Sequence, residues 1–195
     1  TNLKKNTLPL AALGIPEKVV NSNVKWRSPS SDFCKKIAEF SKKFSTKNPY
    51  KFLKILCEGD GSKRLPIKLP KDGEPVFFPK TDTVIGVIGL SCLGKPIKET
   101  LFRYELLPNL TSLDNYFMKS LQSADIVTTD FLYRLCLSEK GLRKNITSQK
   151  FCIIFNQADI LDEKALAEVI TLRNQLQTKG ICPHIRSVKN NYIIG

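Results

Sequence analysis

Short, uninterrupted apolar runs set between helix-forming segments constrain this chain more than any other feature. Val84-Ile85-Gly86-Val87-Ile88-Gly89 and Phe151-Cys152-Ile153-Ile154-Phe155 have the length of strands and no polar alternation, the pattern of parallel strands covered on both faces by helices. Phe52 to Cys57 reads as a third such strand, Ile126-Val127-Thr128 as a short one, and a last strand lies within residues 183–194. Helical composition fills the intervals. Residues 99–122 read as helical with a break at Pro108 and Asn109, Thr129 or Asp130 caps a short helix through Leu137, and Leu161 to Lys179 forms a longer helix that Gly180 ends. The expected fold is α/β, a mostly parallel sheet covered by helices, with ligand sites beyond the carboxyl ends of its strands.

At 195 residues the chain is long enough to bury one sizeable core. Residues 1–49 read as a basic N-terminal arm in which Ser31 or Asp32 caps one amphipathic helix, with Phe33, Ile37, Phe40 and Phe44 at helical spacing and lysines opposite. Residues 50–195 hold the α/β core. Between the strands at Phe52–Cys57 and Val84–Gly89, the prolines Pro66, Pro70, Pro75 and Pro79 forbid a helix.

The net charge is +13, and residues 1–50 alone carry ten basic against three acidic side chains. Such a field attracts polyanions. Two readings follow, a solvated lysine-rich face or a nucleic-acid surface that also enlists Arg64, Arg103 and Arg143. No apolar run approaches a membrane span and no cleavable signal begins at Thr1, so the expectation is a cytoplasmic chain with no membrane partner. The six cysteines are widely scattered without the close pair of a zinc site or redox dithiol, and read as small buried hydrophobes. His184 is the only histidine, which leaves no partner for a histidine-based relay.

Two segments carry recognisable chemistry. Leu56-Cys57-Glu58-Gly59-Asp60-Gly61-Ser62-Lys63-Arg64 ends an apolar strand in two carboxylates. On an extended chain Glu58 and Asp60 point the same way and can share one magnesium ion or one water, with Asp60 the leading ligand. Ser62, Lys63 and Arg64 then offer a hydroxyl and two cations to a phosphate, although an ordinary acidic turn followed by a solvated basic one has the same composition.

After the strand ending at Phe155 comes Asn156-Gln157-Ala158-Asp159, close to the asparagine-lysine-x-aspartate signature of GTP-binding proteins. A carboxylate such as Asp159 accepts from both the ring N–H and the exocyclic amine of guanine, whereas adenine presents no matching donor pair. Gln157 stands where the signature has lysine, which leaves GTP or ATP as the ligand. Ser187-Val188-Lys189 resembles the short loop that completes a guanine pocket. An Asx-type turn, with Asp159 or Asp162 capping the next helix, is the competing reading.

Gly89 to Pro96 imitates the phosphate loop GxxxxGK[ST] but fails at its last position, where Pro96 has neither a hydroxyl nor an N–H. Arg103 with Glu105 forms either a ligand-facing pair or a helix-surface salt bridge.

Taken in order, Glu58 to Arg64, Leu65-Pro66-Ile67-Lys68-Leu69-Pro70, Glu74-Pro75-Val76, the strand Val84 to Gly89, Leu90 to Ile97, Arg103 and Glu105 resemble the YqeC family from about residue 50 onward. Ser138 to Lys144 continues the resemblance. Phe102 occupies the place of a family histidine. The resemblance implies a P-loop nucleotide-binding accessory protein in the maturation of selenium-dependent molybdenum hydroxylases, with magnesium-assisted phosphoryl or nucleotidyl chemistry. It also implies a glycine-rich phosphate loop ahead of the part seen here, so these 195 residues by themselves are expected to bind nucleotide weakly. A non-enzymatic interaction domain is the remaining alternative.

Overall fold

The computed structural model describes residues 15–20, 23–27, 32–33, 35–37, 39, 56–78, 81–110, 125–187 and 189–194. The chain divides into two compact units, Thr1–Leu56 with Phe78–Lys80, and Cys57–Phe77 with Thr81–Gly195. In the first, β1 (Ile15–Val20) and β2 (Asn23–Arg27) form an antiparallel ribbon whose register shifts between Pro16 and Lys18. Residues 32, 33, 35–37 and 39 are helical, as the phenylalanine spacing predicts, while Phe40 and Phe44 lie outside the described residues.

The second unit is α/β. Its main sheet has the order β4-β6-β7-β8, with β4 (Thr83–Gly89), β6 (Lys150–Asn156) and β7 (Cys182–Ser187) parallel and β8 (Tyr192–Ile194) antiparallel at the edge. A second, two-stranded parallel sheet joins β3 (Ile67–Lys68) to β5 (Leu101–Phe102). Three helices lie among the described residues of this unit: α1 (Ile97–Thr100), α2 (Thr129–Leu137) and α3 (Glu163–Thr178). No helix among the described residues is long and apolar enough to cross a membrane.

The period-2 geometry of strands sorts side chains onto two faces. Phe151, Ile153 and Phe155 of β6 and Ile185 of β7 are buried in one core with Phe131, Leu132 and Leu135 of α2 and Val169, Leu172 and Leu176 of α3. The other face differs from expectation. Ile85 and Val87, in register with Cys152 and Ile154, are exposed, as is Ile193 opposite Arg186. An apolar run gives a strand its length but not its cover, so the two-faced covering read from Val84 to Gly89 is not met among the described residues.

Several boundaries also move. Thr128, rather than Thr129 or Asp130, caps α2, its side-chain oxygen accepting from Phe131 N at 3.1 Å. Asp162 caps α3 by accepting from Ala165 N at 2.8 Å; each cap satisfies an otherwise orphaned amide. The region expected to be helical from residue 99, with a break at Pro108 and Asn109, contains β5 and a 3-10 turn, Tyr104–Leu110, that accommodates Pro108, and residues 111–122 lie outside the described residues. Val127 makes only isolated bridge pairing, with Leu93. Leu56 and Cys57 are irregular rather than strand, Leu56 being exposed, and residues 52–55 are outside the described residues.

Candidate functional site

The acidic turn is organised by charges from farther along the chain. Lys68 sits on β3 with only 8% of its side chain exposed, its Nζ 3.0 Å from Asp60 Oδ2 and 2.6 Å from Glu74 Oε2. Glu74 also takes the Arg103 guanidinium, through Oε2 and, at 3.0 Å, through Oε1. A buried ammonium is tolerated only with such partners. The carboxyl of Glu74 is held down from 4.5 to about 2, chiefly by the Arg103 hydrogen bonds and then by Lys68, against the opposing effect of burial. Arg103 is raised in turn, mainly by Glu74.

This corrects the pairing expected of Arg103. It leaves a short strand with φ +66° and turns to Glu74 rather than lying on a helix surface with Glu105, which is exposed. Phe102 forms a floor beneath three cations: Arg103 Cζ lies 4.7 Å, Lys63 Nζ 5.0 Å and Lys68 Nζ 6.0 Å from its ring centroid. The aromatic ring cannot carry the proton of a histidine but can hold guanidinium and ammonium groups in place.

Ser62 to Leu65 form a tight turn closed by Leu65 N donating to Ser62 O at 3.0 Å, with φ of 52° at Lys63 and 66° at Arg64. Both central residues are left-handed, the geometry of a type I′ turn, which normally takes asparagine and glycine. Two long cationic side chains there cost about 1–2 kcal/mol each in backbone strain. Glu58 is exposed, and its Oε1 lies 3.5 Å from where a Cβ on Gly61 would stand. It has no ion-pair partner among the described residues, so Glu58 and Asp60 differ in environment: one is open, the other is tied to Lys68.

The second segment lies at the carboxyl ends of β6 and β7. Gln157 adopts the left-handed conformation, φ 69° and ψ 33°, and starts the 3-10 turn Ala158–Ile160. Ser187, at the end of β7 and almost wholly buried, donates its hydroxyl to Asp159 Oδ1 at 2.6 Å and accepts from Asn190 N at 3.1 Å. Asp159 and Ser187, 28 residues apart in sequence, are therefore brought together. Asp162 takes the helix-capping task, which leaves the Asp159 carboxylate to this contact. Lys189 is exposed and Val188 lies outside the described residues.

One short strap joins the two regions. Gly89, the last residue of β4, donates its N–H to Pro66 O at 2.8 Å, and a Cβ on Gly89 would stand 2.7 Å from Gln157 Oε1 and 2.9 Å from Pro66 Cβ. Two residues after Pro66 comes Lys68 with its hold on Asp60. Lys68 and Glu74 are the site residues that the motifs leave without a role. A lysine inside the buried stretch Ile67–Pro70 is the signal, because an ammonium there demands acidic partners.

Residues 12–105 match the family model described as "YqeC protein". That stretch carries the YqeC family pattern. The YqeC match includes Glu58 to Arg64, Lys68, Glu74, Phe102 and Arg103, so the whole ion network and its aromatic floor lie inside it. It begins well before residue 50 and takes in the β1–β2 ribbon, whereas the loop Asn156 to Asp159 and the segment Ser138 to Lys144 lie beyond it. Neither the curated proteins nor the solved structures yield a match.

Proposed function

We propose that this chain is a nucleotide-dependent accessory protein, its Asn156–Asp159 loop and Ser187 receiving the base and its Glu58–Arg64 turn attending the phosphates. The observation that carries this reading is the Ser187–Asp159 hydrogen bond of 2.6 Å across two parallel strand ends, which holds a carboxylate ready to accept from a guanine edge. GTP is the preferred ligand and ATP the weaker one. A P-loop-like architecture and a part in maturing selenium-dependent molybdenum hydroxylases belong to the same proposal.

Magnesium fits the donor set in the way that ion usually binds, through one or two carboxylates with water and substrate phosphate rather than an all-protein cage. No group of three or more His, Cys, Asp or Glu able to hold a metal occurs among the described residues, while Glu58 and Asp60 stand two residues apart beside Ser62, Lys63 and Arg64. Glu58 and Asp60 would hold the ion, which supplies charge neutralisation for phosphoryl or nucleotidyl transfer. Lys63 and Arg64 bring positive charge to the phosphate oxygens, and Lys68, 3.0 Å from Asp60 Oδ2, holds that carboxylate in place.

Thermal-shift measurements on the intact protein test the base loop. With magnesium present, GTP at a hundredfold excess over its dissociation constant raises Tm by about 5–10 °C, ATP raises it less, and Asp159→Ala removes the difference. Equal shifts for both nucleotides in the unaltered protein reject the assignment. For the acidic turn, Asp60→Ala abolishes magnesium-dependent turnover but keeps the fold, because Lys68 retains Glu74; turnover that survives the change eliminates Asp60 from the chemistry.

A further inference from the structure

Three polar groups scattered in the sequence meet on the open face of the main sheet. Cys152 of β6 and Cys182 of β7 are direct partners in the parallel register, and Cys182 Sγ lies 3.4 Å from His184 Nε2, within hydrogen-bond reach for sulfur. All three are half-buried rather than sealed, and the neighbouring Ile85 and Val87 are exposed on the same face. Sequence spacing sets no two cysteines close together, whereas strand register does, and His184, which has no partner histidine, meets a cysteine instead. Cys92 and Cys136, by contrast, are fully buried, and burial pushes the Cys92 thiol up to about 12 and the Cys136 thiol higher still.

We propose that Cys152, Cys182 and His184 form a peroxide-reactive dithiol site, with Cys182 the attacking thiol, His184 its base and Cys152 the resolving thiol. The site is independent of nucleotide binding. His184 takes the Cys182 proton, and the thiolate attacks one oxygen of hydrogen peroxide. The O–O bond breaks, the departing hydroxide takes the proton from the imidazolium to leave as water, and Cys182 becomes a sulfenic acid. Cys152 sulfur then attacks Cys182 sulfur; the S–O bond breaks, and the hydroxide leaves with the Cys152 proton as a second water. The net change oxidises two thiols to one disulfide and reduces one peroxide to two waters.

Geometry allows the bond. Adjacent strands stand about 4.7–4.9 Å apart, inside the Cα separation of about 4.4–6.8 Å that disulfides span. A bridge confined between neighbouring strands is strained, and strained bridges are the readily reduced ones. The order of reaction follows from the surroundings: burial and the hydrogen bond with Cys182 raise the Cys152 thiol, which keeps it protonated while Cys182 reacts.

Peptide mapping after treatment with stoichiometric hydrogen peroxide tests the site on the unaltered protein. The expected result is one new disulfide joining the Cys152 and Cys182 peptides, reversed by dithiothreitol. Cys152→Ser leaves a sulfenic acid on Cys182 that dimedone traps, Cys182→Ser leaves Cys152 unreacted, and His184→Asn slows bridge formation roughly tenfold. A bridge mapping to other cysteines, or both thiols persisting after the remaining ones have oxidised, overturns the proposal. An unchanged rate in His184→Asn removes the histidine from it.

Discussion

Glu74→Gln lowers stability at neutral pH by about 3 kcal/mol, read from urea unfolding, because it removes the one carboxylate shared by two shielded cations. Lys68 keeps Asp60, but Arg103 loses both of its carboxylate contacts. The same group sets an acid limb. Its folded-state pKa of about 2 lies below the ordinary 4.5, so its contribution is complete above the unfolded value and is lost as pH falls from about 4.5 toward 2. That loss is about 3 kcal/mol in the unaltered protein, and the glutamine variant lacks it. Equal acid sensitivity of the two proteins would show that Glu74 is not the group responsible.

Gly89→Ala destabilises the chain by about 2 kcal/mol in the same assay, through overpacking. A methyl there meets Gln157 Oε1 and Pro66 Cβ, and Pro66 Cα at 3.2 Å. The glutamine can swing aside, but the strap is backbone and is tied to Gly89 by its own hydrogen bond. The strap must move, and it carries Lys68. If the base loop binds as proposed, the substitution also weakens the preference for GTP over ATP. Unaltered stability would mean that the strap yields freely.

Much of this architecture is legible from composition alone. Phe151–Phe155 is strand because a five-residue apolar run between polar ends has no other economical burial, and Leu161–Lys179 is helix to within two residues because Asp162 supplies the cap and Gly180 the stop. The motifs at Glu58–Arg64 and Asn156–Asp159 are visible as residue types in order. Their partners are not. Lys68 and Glu74 belong to the acidic turn only because β3 pairs with β5 and brings Arg103 alongside. Phe52–Cys57 shows the opposite limit: Leu56 is apolar yet exposed, since hydrophobicity states a preference for burial and not the presence of a neighbour to provide it.

The sequence by itself determined the α/β class, the long helix after Asp162 to within two residues of each end, and the ordered acids and cations from Glu58 to Arg103 that fall inside the family match, because each depends on spacing within a few residues or on their order along the chain. Tertiary structure alone decided which charges pair, that Asp159 answers Ser187 while Asp162 caps, and that Cys152 faces Cys182 beside His184. Those outcomes depend on strand register, where a shift of one residue turns every side chain to the other face.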